Sequence, residues 1–146
     1  MKTFTPNDSD AMCDATNGIF RTLAIAAEGY VFHTAGKNSD EYRGGSWAFT
    51  TNDNDTLGFW YPLDQATYPV ACENYYENLA MDAKSFGAAC TLIAINRLAW
   101  KFHEAGQPAL SKEASNLYHA LRNWIFDLGE GDTPFINSAA VAGFID

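Results

Sequence analysis

The chain is poor in positive charge, in cysteine and in long apolar runs, and each shortage removes a class of function. Nine Lys and Arg stand against eighteen Asp and Glu, giving a formal net charge of -9 and a pI near 4.6. A phosphate backbone is repelled by such a protein unless its few cations are gathered together. Lys2, Arg21, Lys37, Arg43, Lys84, Arg97, Lys101, Lys112 and Arg122 are scattered along the chain instead, so no direct nucleic-acid contact is expected. The three cysteines, Cys13, Cys72 and Cys90, are odd in number and form no Cys-x-x-Cys pair. That pattern argues against a disulfide framework and a zinc site, and it fits a reducing cytosol. The longest strongly apolar stretch, Ala88 to Ile95, is too short to span a bilayer, and Met1 to Asp8 hold no apolar leader. A cytoplasmic protein with no membrane partner is the expectation.

What the chain does have is core-forming material. Of its 146 residues 47% are hydrophobic and 18% charged, with ten Phe, seven Tyr and four Trp, enough for one packed core. One domain over residues 1–146 is therefore expected. Thr5 to Asp10 carries turn and cap chemistry leading into a helix from Ala11. Ile19, Phe20, Leu23, Ala26, Ala27, Tyr30 and Val31 recur at helical spacing, which predicts helix over Ile19 to Ala35, with Gly18 and Gly29 as weak points. Gly36 to Gly45 is a loop by composition. Three short alternating runs follow, around Trp47–Phe49, Leu57–Tyr61 and Val70–Cys72, and turn-rich connectors between them predict an antiparallel meander.

The second half is helical. Asp82 is placed to cap a helix to about Glu104, apolar over most of its circumference, and Ser111 to cap the next, which Gly129 closes. Thr133-Pro134 is expected to open a short last helix. The fold class is thus α+β: a small antiparallel meander sheet of about three strands packed on a bundle of about four helices.

Chemical constellations are scarce. Asp53, Asp55, Gly58 and Asp64 meet some positions of a calcium loop, but Leu57 occupies a ligand position and strands flank it. His33, His103 and His119 lack His-x3-His spacing, Gly36-Lys37 is not a phosphate loop, and no nucleophile elbow exists. Cys90 reads as a core thiol. No catalytic residue, metal ligand or cofactor site is assigned. The single Arg43-Gly44-Gly45 triplet precedes a structured strand, unlike the repeated triplets of disordered RNA-binding tracts. Its glycines supply backbone geometry, Trp47 starts the sheet, and Arg43 is free to pair with Glu28, a carboxylate at the core's edge, or with a helix C-terminus.

Taken in order, Tyr42-Arg43-Gly44-Gly45-Ser46-Trp47-Ala48-Phe49, Gly58-Phe59 with Pro62, Asn74-Tyr75-Tyr76, Met81-Asp82-Ala83 and Gly87 to Leu98 resemble the successive landmarks of the ArdB/KlcA antirestriction family. Glu28 with Val31-Phe32 and Ala35, and Leu117 to Arg122, continue the series. The resemblance spans about Ile19 to Leu128, is least clear over residues 1–15 and 134–146, and departs at Ser46 and at Asn96-Arg97-Leu98. It implies a small α+β, non-catalytic protein, typically carried by mobile genetic elements, that relieves type I restriction-modification of incoming DNA. The partner it implies is the restriction-modification complex, met directly or through an intermediary. The competing readings are an acidic DNA mimic and a small enzyme. Glu28, Tyr42, Arg43, Gly44, Gly45, Trp47, Asn74 and Tyr75 are the candidate interaction or motif residues.

Overall fold

Asp82 caps the central helix, as its position suggested: its carboxylate accepts a 3.0 Å hydrogen bond from the Ser85 N–H. In the computed structural model, which describes residues 1–71 and 79–145, this helix, α3 (Ala83–Glu104), is the element on which most of the others pack. Before it come β1 (Lys2–Phe4), α1 (Ser9–Phe20), α2 (Ala24–Asn38), β2 (Trp47–Thr51), β3 (Gly58–Pro62), β4 (Thr67–Val70) and β5 (Leu79–Asp82). After it come α4 (Pro108–Asp127) and α5 (Ser138–Ile145). α3 packs on α2, α4, α5 and β3, and buries Phe86, Ala88, Ala89, Cys90, Leu92, Ala94, Ile95 and Leu98. A helix apolar over most of its circumference belongs at the centre of the fold, and α3 leaves open only a strip near its C-terminal end that includes Asn96, Trp100 and Lys101. Burial also pushes the Cys90 thiol far up from its ordinary pKa, which leaves it an inert core group.

The α+β class and the three-stranded antiparallel sheet are present, but the third strand is not the expected one. The sheet runs β1-β2-β3, with Phe4 opposite Phe49 and Phe49 opposite Trp60, while β4 pairs only with β5 in a separate hairpin. The far edge of β3 is closed by α3, which explains the difference. The Trp60 N–H donates to Thr91 Oγ1 at 3.2 Å, and the same hydroxyl donates to the Gly87 carbonyl at 2.9 Å. Gly87 lies so close to β3 that a Cβ there would fall 2.2 Å from the Trp60 carbonyl oxygen and 2.3 Å from Tyr61 Cα. A strand beyond β3 has no room, so β1 joins the open side of β2 instead. The β4–β5 hairpin docks through Tyr68, stacked on Phe86 of α3.

Three helix boundaries also differ from expectation. The helix predicted through Ile19 to Ala35 breaks at Arg21 (φ 52°), not at either glycine. Phe20 and Leu23 flank the break and both are fully buried, so a 3-10 turn over Arg21–Leu23 re-aims the chain to insert both. α4 begins at Pro108, whose missing N–H costs nothing in a first turn. Ser111 therefore does not cap it, and instead donates to the Ala99 carbonyl at 2.8 Å, tying α4 to α3. The last helix starts at Ser138 rather than after Pro134: the Asn137 side chain accepts from the Ala140 N–H, and the Asn137 N–H donates to the buried Ser85 hydroxyl at 2.7 Å.

Thr91→Val should cost about 1–3 kcal/mol by leaving the Trp60 N–H buried and unpaired. Gly87→Ala should cost at least as much, because its methyl meets backbone that cannot rotate away. Urea unfolding of both variants reads this; a Gly87→Ala change within about 0.5 kcal/mol of wild type would contradict so close an α3–β3 contact.

Candidate functional site

The segment leaving α2 returns to the sheet through two glycines in left-handed backbone, Gly44 (φ 88°) and Gly45 (φ 106°). At Gly45 a side chain is excluded twice over. Its φ disfavours one, and a Cβ would sit 1.5 Å from Asp64 Oδ2, the oxygen that accepts the Ser46 N–H at 3.1 Å. Immediately after, Trp47 is buried between Phe32 of α2, with ring centroids 5.1 Å apart, and Tyr42, edge-on at 5.6 Å. The Trp47 indole N–H donates to the Tyr42 hydroxyl at 2.9 Å. Burial raises the Tyr42 phenol above its ordinary pKa, partly offset by that hydrogen bond, so Tyr42 stays neutral at physiological pH. Tyr42, Gly45 and Trp47 are thereby committed to holding the helix-to-sheet turn.

Arg43 points outward. Its guanidinium donates to the Asp40 carbonyl and, at 3.4 Å, to its neighbour Tyr42's carbonyl, just beyond the C-terminus of α2. The alternative partner considered for it, Glu28, is exposed and lies elsewhere, on a cleft of about 440 Å³ also walled by Met12, Cys13, Phe32, Gly45 and Trp47. Arg43 and Gly44 line a second recess of about 220 Å³ with Asp64 and Tyr68. A third concavity, about 370 Å³, runs between α2 and α3 and holds Tyr30, His33, Arg97 and Lys101. Glu28, Arg43 and His33 thus face three different concavities. Asn74 and Tyr75 lie outside the described residues. Sequence reading missed Asp64, whose carboxylate receives the Ser46 N–H; its signal was an acid in a turn, the commonest place for one. It also missed that Arg97 and Lys101, one helical turn apart, would meet His33 from another helix.

Among the described residues, no three His, Cys, Asp or Glu side chains converge on a metal-sized site, and no helix is long and apolar enough to cross a membrane. The fold and its glycine-hinged aromatic junction define a small α+β protein of the architecture seen in a solved structure of the KlcA and ArdB proteins. That structure superposes with a TM-score of 0.76 over 99% of this chain and 94% of the other, at 17% identity. It is described as showing a novel fold and antirestriction activity against Type I DNA restriction systems in vivo but not in vitro. The family described as Antirestriction protein matches residues 40–134, from just before the junction into the α4–α5 connection, and the chain belongs to that family. It is also 33% identical over 94 residues to YubI of Escherichia coli (strain K12), which is named as a candidate antirestriction protein; the match takes in 64% of this chain and 65% of that relative.

Tyr42→Phe removes the acceptor of the buried Trp47 N–H and should destabilise by about 1 kcal/mol. Gly45→Ala adds left-handed strain and displaces the Asp64 carboxylate from the Ser46 N–H, for about 1–3 kcal/mol. Thermal melts test both. A Tyr42→Phe protein as stable as wild type would mean that water replaces the hydroxyl and the junction is wetter than it looks.

Proposed function

We propose that this chain relieves type I restriction of incoming DNA by a non-catalytic, protein-mediated inhibition in the cytoplasm of a bacterial host. The family match over residues 40–134 carries the reading. Its type I target comes from what is stated of the solved KlcA and ArdB proteins, whose fold this chain shares. Activity described there in vivo but not in vitro favours a route that needs a further cellular component over simple capture of the restriction complex.

Two observations weigh against the competing readings. A DNA mimic needs unpaired carboxylates ranked along one surface, yet Asp53 and Asp55 at the β2–β3 turn are taken up by the Met1 ammonium and by Lys2. An enzyme needs acid, base and cation around one cleft, and Glu28, Arg43 and His33 lie on separate ones. Arg43, exposed and bonded only to carbonyls among the described residues, is the junction side chain free to meet a partner.

Cells expressing the chain should plate unmodified phage more efficiently under a type I system than cells without it. Unchanged plating with verified expression overturns the reading. Arg43→Ala should alter stability by less than about 0.5 kcal/mol; if plating falls while the melting temperature holds, Arg43 serves partner contact, and if both hold it does not.

A further inference from the structure

Two cations without an ion pair among the described residues line one groove of a strongly acidic molecule. Arg97 and Lys101 are one turn apart on α3, and with His33 and Tyr30 of α2 they line the groove between the two helices. The Arg97 guanidinium lies over the Tyr30 ring, 5.7 Å from its centroid, which holds the cation in place without neutralising it. Among the described residues no carboxylate lines this groove and neither cation forms an ion pair. In a chain with eighteen acids and nine Lys and Arg, a groove whose described lining pairs two cations with a histidine and no acid stands out, although Glu104 follows Lys101 by three residues on the same helix. The groove is also flanked by apolar side chains left in water. Four large hydrophobic side chains are exposed among the described residues, and the two most exposed stand on the two helices that form this groove, each next in sequence to a lining residue: Ile25 of α2 at 90%, beside Ala26, and Trp100 of α3 at 60%, beside Lys101. Arg97 neighbours both Lys101, four residues on, and Trp100, three residues on, so the exposed ring lies to one side of the pair of cations on α3.

We infer that this groove is a docking surface for an acidic segment of a partner protein, one that sets carboxylates on Arg97 and Lys101 and lays apolar neighbours over Trp100 and Ile25. The choice of occupant follows from shape and charge. The groove is wide open to solvent, so a small free anion would keep most of its surface in water, where single ion pairs are weak. A long polyanion such as DNA would meet the repulsion of the remaining surface, at net -9, along its whole length. A short acidic segment brings charge where the cations are and covers the exposed Trp, the residue type most often central to binding energy. The inference rests on the antirestriction reading only in taking the partner to be a protein, and it adds the face and the chemistry.

The test uses the full chain and a fluorescein-labelled Gly/Ser peptide carrying one Asp-Glu-Leu-Asp block, with an Asn-Gln-Leu-Asn version as its uncharged control. Fluorescence anisotropy should show the acidic peptide bound about tenfold or more tightly than the control, more weakly as salt rises, and about tenfold more weakly by Arg97→Glu and by Lys101→Glu. Lys101 is exposed, so Lys101→Glu separates lost binding from lost folding. Equal binding of the two peptides, or indifference to Lys101→Glu in a protein that melts like wild type, overturns the proposal. Tighter binding of a DNA duplex, or self-association in sedimentation that the same variant abolishes, assigns the groove to another occupant and equally overturns it. Phage plating with the wild-type chain is scored separately. Relief without peptide binding rejects the groove alone, and peptide binding without relief rejects the antirestriction reading alone.

Discussion

The placement of α3 on the edge of β3 is the constraint from which the rest of the architecture follows. Gly87 lets the helix axis approach the strand backbone, and Thr91 closes the hydrogen-bonding edge that the approach would otherwise leave unsatisfied. Once that edge is used, the sheet can extend only past β2, which draws Lys2–Phe4 in from the start of the chain. The β4–β5 segment, denied a place in the sheet, pairs with itself and contributes Tyr68 to the far side of the same helix. One glycine and one threonine on a single helix therefore decide where five strands go.

The junction motif takes on a different character in this frame. Its aromatic residues are spent on the interior: Trp47 is wedged between Phe32 and Tyr42, and the two glycines exist so that the chain can turn tightly enough to put it there. A motif that carries a resemblance to a family need not be the surface that meets a target. Here the outward-facing chemistry sits beside it, in Arg43 and Glu28, and in the separate groove between α2 and α3 that Arg97 and Lys101 line.

Much of this fold was legible in the sequence, and the failures share one cause. The Asp82 cap, the buried α3, the amphipathic α4 and the β2–β3 pair all rest on local spacing, which a single chain displays openly. The identity of the third strand, the break at Arg21 and the true starts of α4 and α5 were decided by groups distant in sequence: Thr91 for the β3 edge, Trp60 stacked 4.8 Å from Phe20, and Ser85 holding the Asn137 N–H. Of the candidate site, the structural roles of Gly44, Gly45 and Trp47 were readable because glycine pairs and aromatics have few uses. That Glu28 and Arg43 stay apart, and that Arg97 and Lys101 meet His33, was not, because cations scattered along a chain say nothing about which helix faces adjoin.

The edge strand β1 has a bearing on how the molecule comes apart. Its partners lie 45 to 49 residues away along the chain, Phe4 on Phe49 and Lys2 on Thr51, whereas β2 and β3 are joined by a short turn and stapled by the Asn52 side chain to the Thr56 and Leu57 amides. Closing so long a loop costs chain entropy, and three strand residues, two of them exposed, return little for it. The hairpin and α3 can assemble without β1, but β1 has nothing to pair with until they have. The first residues are thus expected to exchange their amide protons before the β2–β3 pair does, so that the sheet would open from its β1 side while α3 keeps the other edge shut.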